Sequence, residues 1–174
     1  KHCSIASLPG MWERTVVVSG FSKAFAMTGW RLGYCCAPKD LMKPVLQIHQ
    51  YALMCASTPA QYAGVEALQN GLGDCAHMCE EYDKRRQYLY KALLDLGFDC
   101  FEPEGAFYIF PDVTRYAKNG DEFVEALLAD QHLAVVPGSA FGDCGMNHVR
   151  ISYAYSMENL KKAMDRIEKF VAKK

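Results

Sequence analysis

One lysine stands where its side chain could do covalent chemistry. Lys23 follows the β-branched run at residues 15–18 and is the only charged residue among residues 22–29. Apolar surroundings disfavour the ammonium form of a lysine and leave more of the neutral amine, which is a nucleophile. An ordinary loop lysine that extends into solvent explains the same position equally well. Lys23 is therefore a candidate catalytic amine whose interpretation depends on the residues around it.

Two arginines are candidate anion ligands. Arg31 stands between two glycines in Gly-Trp-Arg-Leu-Gly at residues 29–33. Arg150 lies in a predicted strand, where alternation places it with Ser152 on the face opposite to the apolar residues. An arginine presents a planar, permanently charged fork of donors that suits phosphate and carboxylate oxygens. An exposed strand arginine is the alternative interpretation of Arg150.

The segment around Lys23 resembles the lysine segment of the class I aminotransferases, the aspartate aminotransferase family of enzymes that use pyridoxal 5'-phosphate (PLP). The family pattern is Ser-Lys, a short spacer and Gly-x-Arg-x-Gly, and this chain has Ser22-Lys23 followed by residues 29–33 at the same spacing. The resemblance implies that Lys23 binds the cofactor aldehyde covalently and then moves the substrate α-proton. It also implies that Arg31 and the Ser22 hydroxyl bind the cofactor phosphate. The family often has a serine three residues before the lysine, where this chain has Gly20.

Further segments resemble the same family. Arg-Ile-Ser-Tyr-Ala, which begins at Arg150 and precedes the last helix, resembles the signature whose arginine binds the substrate α-carboxylate. Residues 105–108 and 136–142 resemble segments of the family's small domain. The turn that carries Ser57 and Thr58 resembles a segment that reaches the cofactor phosphate of the neighbouring subunit, which makes both residues candidate ligands. Short hydroxyl residues are also common where helices begin, so that interpretation of the two stays open.

The resemblance implies a fold class, α/β plus α+β. Residues 1–72 would form the end of the large PLP-binding domain of a fold-type-I enzyme, and residues 73–174 the small C-terminal α+β domain. Family members carry an N-terminal half with a glycine-rich phosphate loop and an aspartate that pairs with the pyridine nitrogen, and neither is recognisable here. We therefore expect this chain to be the C-terminal portion of an aminotransferase. It would be inactive alone, because the aspartate that pairs with the pyridine nitrogen, and so supports the cofactor as an electron sink, is missing.

Hydrophobic periodicity predicts the secondary structure that positions these residues. Asp40 and Ser156 are the predicted N-caps of the first and last helices. The predicted helices lie at residues 40–55, 59–70, 74–96 and 121–131 and after Ser156, and the predicted strands at residues 98–101, 105–110, 133–136 and 148–155.

Composition narrows the function classes. Of 174 residues, 51% are hydrophobic and the net charge is −1, so nothing favours nucleic acid or an anionic membrane as a partner. The apolar runs are too short to span a membrane and no signal peptide is recognisable, so we expect a cytoplasmic protein. The eight cysteines include no Cys-x-x-Cys pair, and Cys75, His77 and Cys79 lack a second ligand pair for zinc. We predict buried or half-buried free thiols in a reducing compartment and no metal.

The resemblance also implies a reaction for the intact enzyme: amino-group transfer between an amino acid and a 2-oxo acid, in a homodimer with its sites at the interface. Two alternatives stay open from the sequence. A carbon–sulfur lyase of the same fold would carry the same motifs, and an aminotransferase-like sensor module of a transcription regulator would keep them without catalysis. The preferred donor is not encoded in these motifs, because the side-chain pocket draws on the N-terminal half and the partner subunit.

Overall fold

The computed structural model describes residues 2–174. The chain divides into two compact units, one ending at His77 and the other comprising Met78–Lys174. The boundary falls inside a long helix, Leu72–Asp95, which we call α4. Among the residues described, no helix is both long enough and apolar enough to cross a membrane. The assignment of residues 1–72 and 73–174 to two enzyme domains stays a prediction.

The first unit is built on a two-stranded antiparallel hairpin. Strand β1, Val17–Gly20, pairs with β2, Gly33–Cys36, and Gly20 lies opposite Gly33. The connection between the strands contains the single helical turn α1, Phe21–Ala24, and a 3-10 turn, Thr28–Trp30. Two longer helices follow, α2 at Lys39–Ala52 and α3 at Thr58–Asn70. Two further 3-10 turns, Ile5–Ser7 and Trp12–Arg14, precede the hairpin.

The first unit has a small core that includes residues of α1, the turn that carries Lys23, and of the segment that follows it. Its buried members are Phe21, Met27, Leu32 and Ala60, so residues on both sides of Lys23 are anchored against α3. In contrast, most apolar residues of α2 are exposed, and Tyr51 near its end is 95% exposed. The hairpin connection is therefore held by few but well-buried side chains.

The second unit combines three helical segments with a three-stranded antiparallel sheet. The strands are β3 (Tyr108–Ile109), β4 (Val136–Pro137) and β5 (Val149–Ser152), and their order is β3-β5-β4. Two 3-10 turns, Gly138–Phe141 and Asp143–Gly145, join β4 to β5. The helices are the C-terminal part of α4, α5 at Gly120–Gln131 and α6 at Met157–Val171.

Apolar faces of these helices and strands form the larger of the two cores. The apolar stripe of α6 is buried at Leu160, Met164, Ile167 and Phe170, as its helical spacing predicts. The Ser156 hydroxyl accepts a hydrogen bond from the Asn159 N–H at 3.3 Å, which confirms the predicted N-cap. The other buried members are Leu89, Leu93, Phe98, Ile109, Val113, Phe123, Leu127, Val149, Ile151 and Tyr153.

The predicted helices are found with small shifts, but one predicted cap is wrong. Helix α2 begins at Lys39 with Pro38 at the N-cap position, and no side chain caps it. Asp40 lies inside the first turn, where its charge complements the helix dipole instead of accepting the capping hydrogen bond.

The predicted strands are too long. The strand expected at residues 98–101 is reduced to an isolated bridge between Asp99 and Asp112, and the other three are shortened to β3, β4 and β5. Pro111 follows β3 closely and Pro137 ends β4, and a proline has no N–H to donate to a strand ladder. The apolar pattern marked the buried residues of these segments but not the extent of their pairing.

Candidate active site

Lys23 lies on α1, the single helical turn between β1 and the 3-10 turn. The backbone N–H of Phe21 donates to the carbonyl of Leu32 at 3.2 Å and closes the hairpin at the base of that turn. The Phe21 ring is buried, whereas the Lys23 side chain is exposed and Ser22 is half-buried. The apolar sequence around Lys23 therefore anchors the turn through its neighbours and does not bury the amine in this chain.

Arg31 has a backbone conformation that is unusual for an arginine. Its φ is 52° and ψ is 46°, in the left-handed region, and Ala26 on the same connection has a φ of 53°. For residues other than glycine this conformation costs about 1–2 kcal/mol, and such positions concentrate at functional sites. The Arg31 Nη1 donates to the Thr28 carbonyl at 3.0 Å, which directs part of the guanidinium toward the turn that precedes it.

One open cavity of about 620 Å³ brings two of the predicted site residues together. Arg31 and Ser57, which are far apart in the sequence, both line it. A second groove, of about 760 Å³, is also lined by both residues, together with Ser19 and His49. Ser22, Lys23 and Thr58 are not among the lining residues of either. The first cavity is lined by Ala26, Gly29, Trp30, Arg31, Ser57, Pro59 and Ala60.

Ser57 occupies the N-cap position of α3, a helix that runs for 13 residues. Its hydroxyl makes no capping hydrogen bond and has no partner among residues 2–174. The first N–H groups of a helix lack partners within the helix, and together with the helix dipole they favour an anion. The start of α3 therefore presents an uncommitted hydroxyl beside Arg31, on a cavity open to solvent.

The turn before α3 is held in place by two neighbours. The side-chain amide of Gln61 donates to the Ala56 carbonyl at 2.8 Å, and Ala60 is buried against the core of the first unit. Ala26 and Trp30 belong to the segment that resembles the family, but the sequence assigned no role to them or to Gln61. Gln61 acts on a turn five residues earlier, and the left-handed φ of Ala26 has no signature in its residue type, so the sequence offered no usable signal for either.

Arg150 lies in the second unit on β5. Val149, Ile151 and Tyr153 are buried while Arg150 and Ser152 are half-buried, which confirms the predicted alternation. The Arg150 guanidinium carbon lies 4.4 Å from the ring centroid of Tyr108 and 4.8 Å from that of Phe141. The sequence predicted the arginine, but it did not predict the two rings that face it.

The remaining sequence predictions concern cysteines and metals. All eight cysteines are free, as expected, but the predicted burial is wrong for five of them, which are exposed: Cys3, Cys36, Cys55, Cys79 and Cys144. Cys75 donates from its Sγ to the Ala24 carbonyl at 2.9 Å, a contact that helps to hold the end of α1. In the described part of the chain, no three histidine, cysteine or acidic residues are grouped to hold a metal ion.

Comparison with known proteins defines the class of this chain. Residues 5–167 match the family model "Aminotransferase class I and II". The Bacillus subtilis (strain 168) protein YugH is 50% identical over 170 residues, which are 98% of this chain and 44% of that protein. The aspartate aminotransferase of Pyrococcus abyssi is 47% identical over 176 residues, covering the whole chain and 45% of that enzyme. The chain belongs to the class I and II aminotransferases.

Solved structures confirm the predicted fold class. The crystal structure of the aromatic aminotransferase from Pyrococcus horikoshii OT3 matches with a TM-score of 0.94 at 44% sequence identity. That match covers 99% of this chain and 47% of the crystallised enzyme. The chain therefore has the fold of part of an aspartate-aminotransferase-like enzyme, and it spans somewhat less than half the length of the relatives that it matches.

Proposed function

We propose that the protein transfers an amino group between an α-amino acid and a 2-oxo acid with PLP as its cofactor. One observation carries the proposal: Arg31 and the uncommitted Ser57 hydroxyl line the same cavity at the start of α3, in a chain that belongs to the aminotransferases. The relatives described above support the reaction class. Neither a carbon–sulfur lyase nor a sensor module finds support among them.

The donor set around the cavity fits a phosphate monoester. Arg31 supplies a permanent charge and several N–H donors, Ser57 supplies a hydroxyl, and α3 supplies the N-terminal backbone N–H groups. Gly29 also lines the cavity, and a Cβ built there would meet open space. Ser22, half-buried on α1, would add a further hydroxyl. The resemblance assigned Ser57 and Thr58 to the cofactor phosphate of the neighbouring subunit, whereas the cavity shared with Arg31 supports Ser57 as a ligand within the same chain, and Thr58 keeps the assignment across the dimer interface.

The proposal assigns separate roles to Lys23 and Arg150. Lys23, on the exposed turn α1, would hold the cofactor covalently and carry the substrate α-proton. Arg150 would bind the substrate α-carboxylate through a bidentate pair of hydrogen bonds. When bound, PLP supplies the electron sink that makes the α-proton removable.

The rest of the active site would come from outside this chain. We propose that the N-terminal half of the same protein supplies the missing cofactor contacts, that residues 1–72 and 73–174 belong to the large and small domains, and that the enzyme is a homodimer. Exposed apolar side chains at the end of α2 support coverage by further protein, because exposed patches of this kind mark interaction surfaces. They are Ile48, Tyr51, Leu53 and Met54. Eight free thiols support a reducing, cytoplasmic location.

The test is an assay of the full-length protein loaded with PLP. Amino-acid donors are supplied together with a 2-oxo acid acceptor, and both products of the exchange are quantified by mass spectrometry. The proposal predicts that the 2-oxo acid of the donor and the amino acid of the acceptor form in equal amounts. Release of ammonia with pyruvate from a sulfur-containing donor, independent of any acceptor, would instead establish a lyase, and binding without turnover would favour a sensor.

A further inference from the structure

Two aromatic rings enclose the guanidinium of Arg150 within the second unit. Tyr108 comes from β3 and Phe141 from the 3-10 turn that follows β4, and these two strands flank β5 on opposite sides. Tyr108 lies opposite Ser152, so its ring reaches Arg150 along the diagonal of the strand pair, a distance that aromatic side chains can span. Val136 lies opposite Arg150 on the other side, which brings the turn carrying Phe141 close.

The contacts with these two rings are the main interactions of the Arg150 guanidinium. Among residues 2–174 its side chain takes part in no hydrogen bond and no ion pair. Arg86 on α4 shows the ordinary alternative, since it pairs with both Asp83 and Glu102. Interactions with ring faces hold a guanidinium without using its in-plane N–H groups, whereas carboxylate partners occupy those groups. Arg150 is thus held with its donors uncommitted.

Both rings are themselves held by neighbouring rings. Phe141 packs edge-on against Phe110 with centroids 6.0 Å apart, and Phe110 stacks on the His148 imidazole at 5.0 Å with an angle of 5° between the planes. On the other side, Tyr108 packs against Phe107 at 4.6 Å. These five rings form a continuous row through Arg150, which we call the aromatic row.

The position of the two enclosing rings argues against a purely structural role. Neither Tyr108 nor Phe141 belongs to the larger core, and Phe141 is 49% exposed. An exposed ring contributes little to folding through burial, because apolar stabilisation scales with the area removed from water. Phe141 contacts the guanidinium and does not belong to the larger core, so within this unit its placement is explained by Arg150 rather than by the core.

We propose that Tyr108 and Phe141 are positioning residues that fix the plane of the Arg150 guanidinium so that its paired N–H groups meet a substrate carboxylate. The inference rests on the proposed function, because it assigns to Arg150 the role of carboxylate ligand. A guanidinium without these rings would rotate among side-chain conformations and lose that freedom on binding, which weakens carboxylate affinity. The rings act through Arg150 and do not contact the reacting atoms.

The test uses the full-length enzyme in its PLP-loaded form. Tyr108→Leu and Phe141→Leu each remove one ring, and Tyr108→Phe keeps the ring without the hydroxyl. Phe101→Leu is the matched control, because Phe101 lies in the same unit and is 93% exposed. The readouts are KM and kcat for an amino-acid donor and the dissociation constant of acetate, measured as a competitive inhibitor and by its effect on the cofactor absorbance.

The proposal predicts that each leucine variant raises KM and the acetate dissociation constant by about two- to fivefold, as expected from one cation–π contact. The kcat changes less than KM, and Tyr108→Phe and Phe101→Leu behave like wild type. Leucine variants that fold and bind acetate like wild type overturn the proposal. So does an equal fall in kcat at unchanged acetate affinity, since that result indicates a role in the reacting complex.

Two further measurements separate the possible failures. If wild type shows no amino transfer, or Arg150→Ala keeps full acetate affinity, the proposed function fails, whatever the rings do. If a leucine variant does not fold, the Nε–H resonance of Arg150 in isotopically labelled wild type decides the matter. Enclosure by two rings predicts a ring-current shift and further protection when acetate is added, and a signal at the position of a solvent-exposed arginine overturns the proposal.

Discussion

A Cβ built on Gly64 would lie only 2.5 Å from the Cδ2 of Leu32, so α3 packs closely against the buried side chain that directly precedes β2. Leu32 follows Arg31 directly, and α3 begins beside Ser57. The close approach at Gly64 therefore packs α3 against the residue next to Arg31. The two candidate phosphate ligands that share the cavity thus lie on segments that contact each other in the small core.

Removing the arginine from this cavity should weaken cofactor binding through the phosphate alone. Hydrogen bonds to charged groups contribute about 1.5–3 kcal/mol, so Arg31→Ala is expected to raise the PLP dissociation constant about 10- to 150-fold. The PLP dissociation constant of Arg31→Lys should lie between those of the wild type and Arg31→Ala, since an ammonium offers a point charge without the planar fork. The measurement is an absorbance titration of the full-length protein with PLP.

The matched experiment repeats the titration with pyridoxal, which lacks the phosphate. The affinity for pyridoxal should be nearly the same in wild type and Arg31→Ala, because neither protein can make the phosphate contact with pyridoxal. Arg14→Ala provides a control arginine from the same unit, exposed on a 3-10 turn. If Arg31→Ala weakens pyridoxal as strongly as PLP, then Arg31 supports the fold and is not a phosphate ligand.

The sequence predicted the long helices well, and it did not predict which of the candidate site residues lie close together. The long helices α3, α4 and α5 were found near their predicted bounds, because their apolar spacing repeats over many turns. Short strands were overestimated, since an apolar run shows that a segment is buried and not that it is hydrogen-bonded. The cavity shared by Arg31 and Ser57 joins two residues that are far apart in the sequence, and neither residue's local sequence encodes that relationship.

The aromatic row shows the same limit in the second unit. Residues 105–108 and 136–142 were singled out as family segments, and each contributes one ring to Arg150. Which rings meet the guanidinium depends on strand order and register, and periodicity leaves both undetermined.

Two adjacent leucines on α4 test the position of the larger core. Leu93 is fully buried and Leu94 is 43% exposed. Leu93→Ala should destabilise the protein by about 2–5 kcal/mol, through lost burial and the cavity left behind. Leu94→Ala should change the free energy of unfolding by well under half of that amount. Urea denaturation followed by circular dichroism gives both values, and equal losses would show that the helix is rotated from the orientation described.

Gly138 begins the turn that carries Phe141, and no side chain fits there. A Cβ at this position would overlap the Gly145 carbonyl oxygen and come within 2.9 Å of the Phe110 ring. Gly138→Ala should therefore destabilise the fold by about 1–3 kcal/mol or more, because backbone atoms have to move. Gly105→Ala is the control, since a Cβ there meets no atom within 4 Å. A Gly138→Ala variant as stable as this control would contradict the close packing of the two turns.

Cys100 should be the slowest of the compared thiols to react. Burial, assisted by the neighbouring Asp99 charge, raises the pKa of the Cys100 thiol. A smaller fraction of Cys100 is therefore present as the reactive thiolate at neutral pH. Iodoacetamide with timed mass spectrometry should label the exposed Cys3 and Cys144 well before Cys100. Labelling of Cys100 as fast as Cys3 in the folded protein would contradict its partial burial.

The raised pKa of Cys100 also predicts a pH dependence of stability. Above the ordinary pKa of a thiol, the unfolded chain loses the proton while the folded chain retains it, so the unfolded state binds fewer protons and stability falls as pH rises. The contribution is complete below the ordinary thiol pKa and is lost as pH rises through the folded value. Urea denaturation at several alkaline pH values gives the free energy of unfolding as a function of pH, and Cys100→Ala should make its fall with pH less steep. An equally steep fall in the variant would show that other groups cause the pH dependence.

Covalent trapping is the sharpest test of the proposed role of Lys23, which is to hold the cofactor. The full-length protein is mixed with PLP and reduced with borohydride, and peptide mass spectrometry then locates the modified lysine. The account predicts that one peptide, containing Lys23, carries nearly all of the label at limiting PLP. It also predicts that Lys43→Ala is labelled like wild type, whereas Lys23→Ala loses the label and at least about 10²–10⁴-fold in kcat. Label spread over surface lysines, in the same pattern with and without Lys23, would contradict the account.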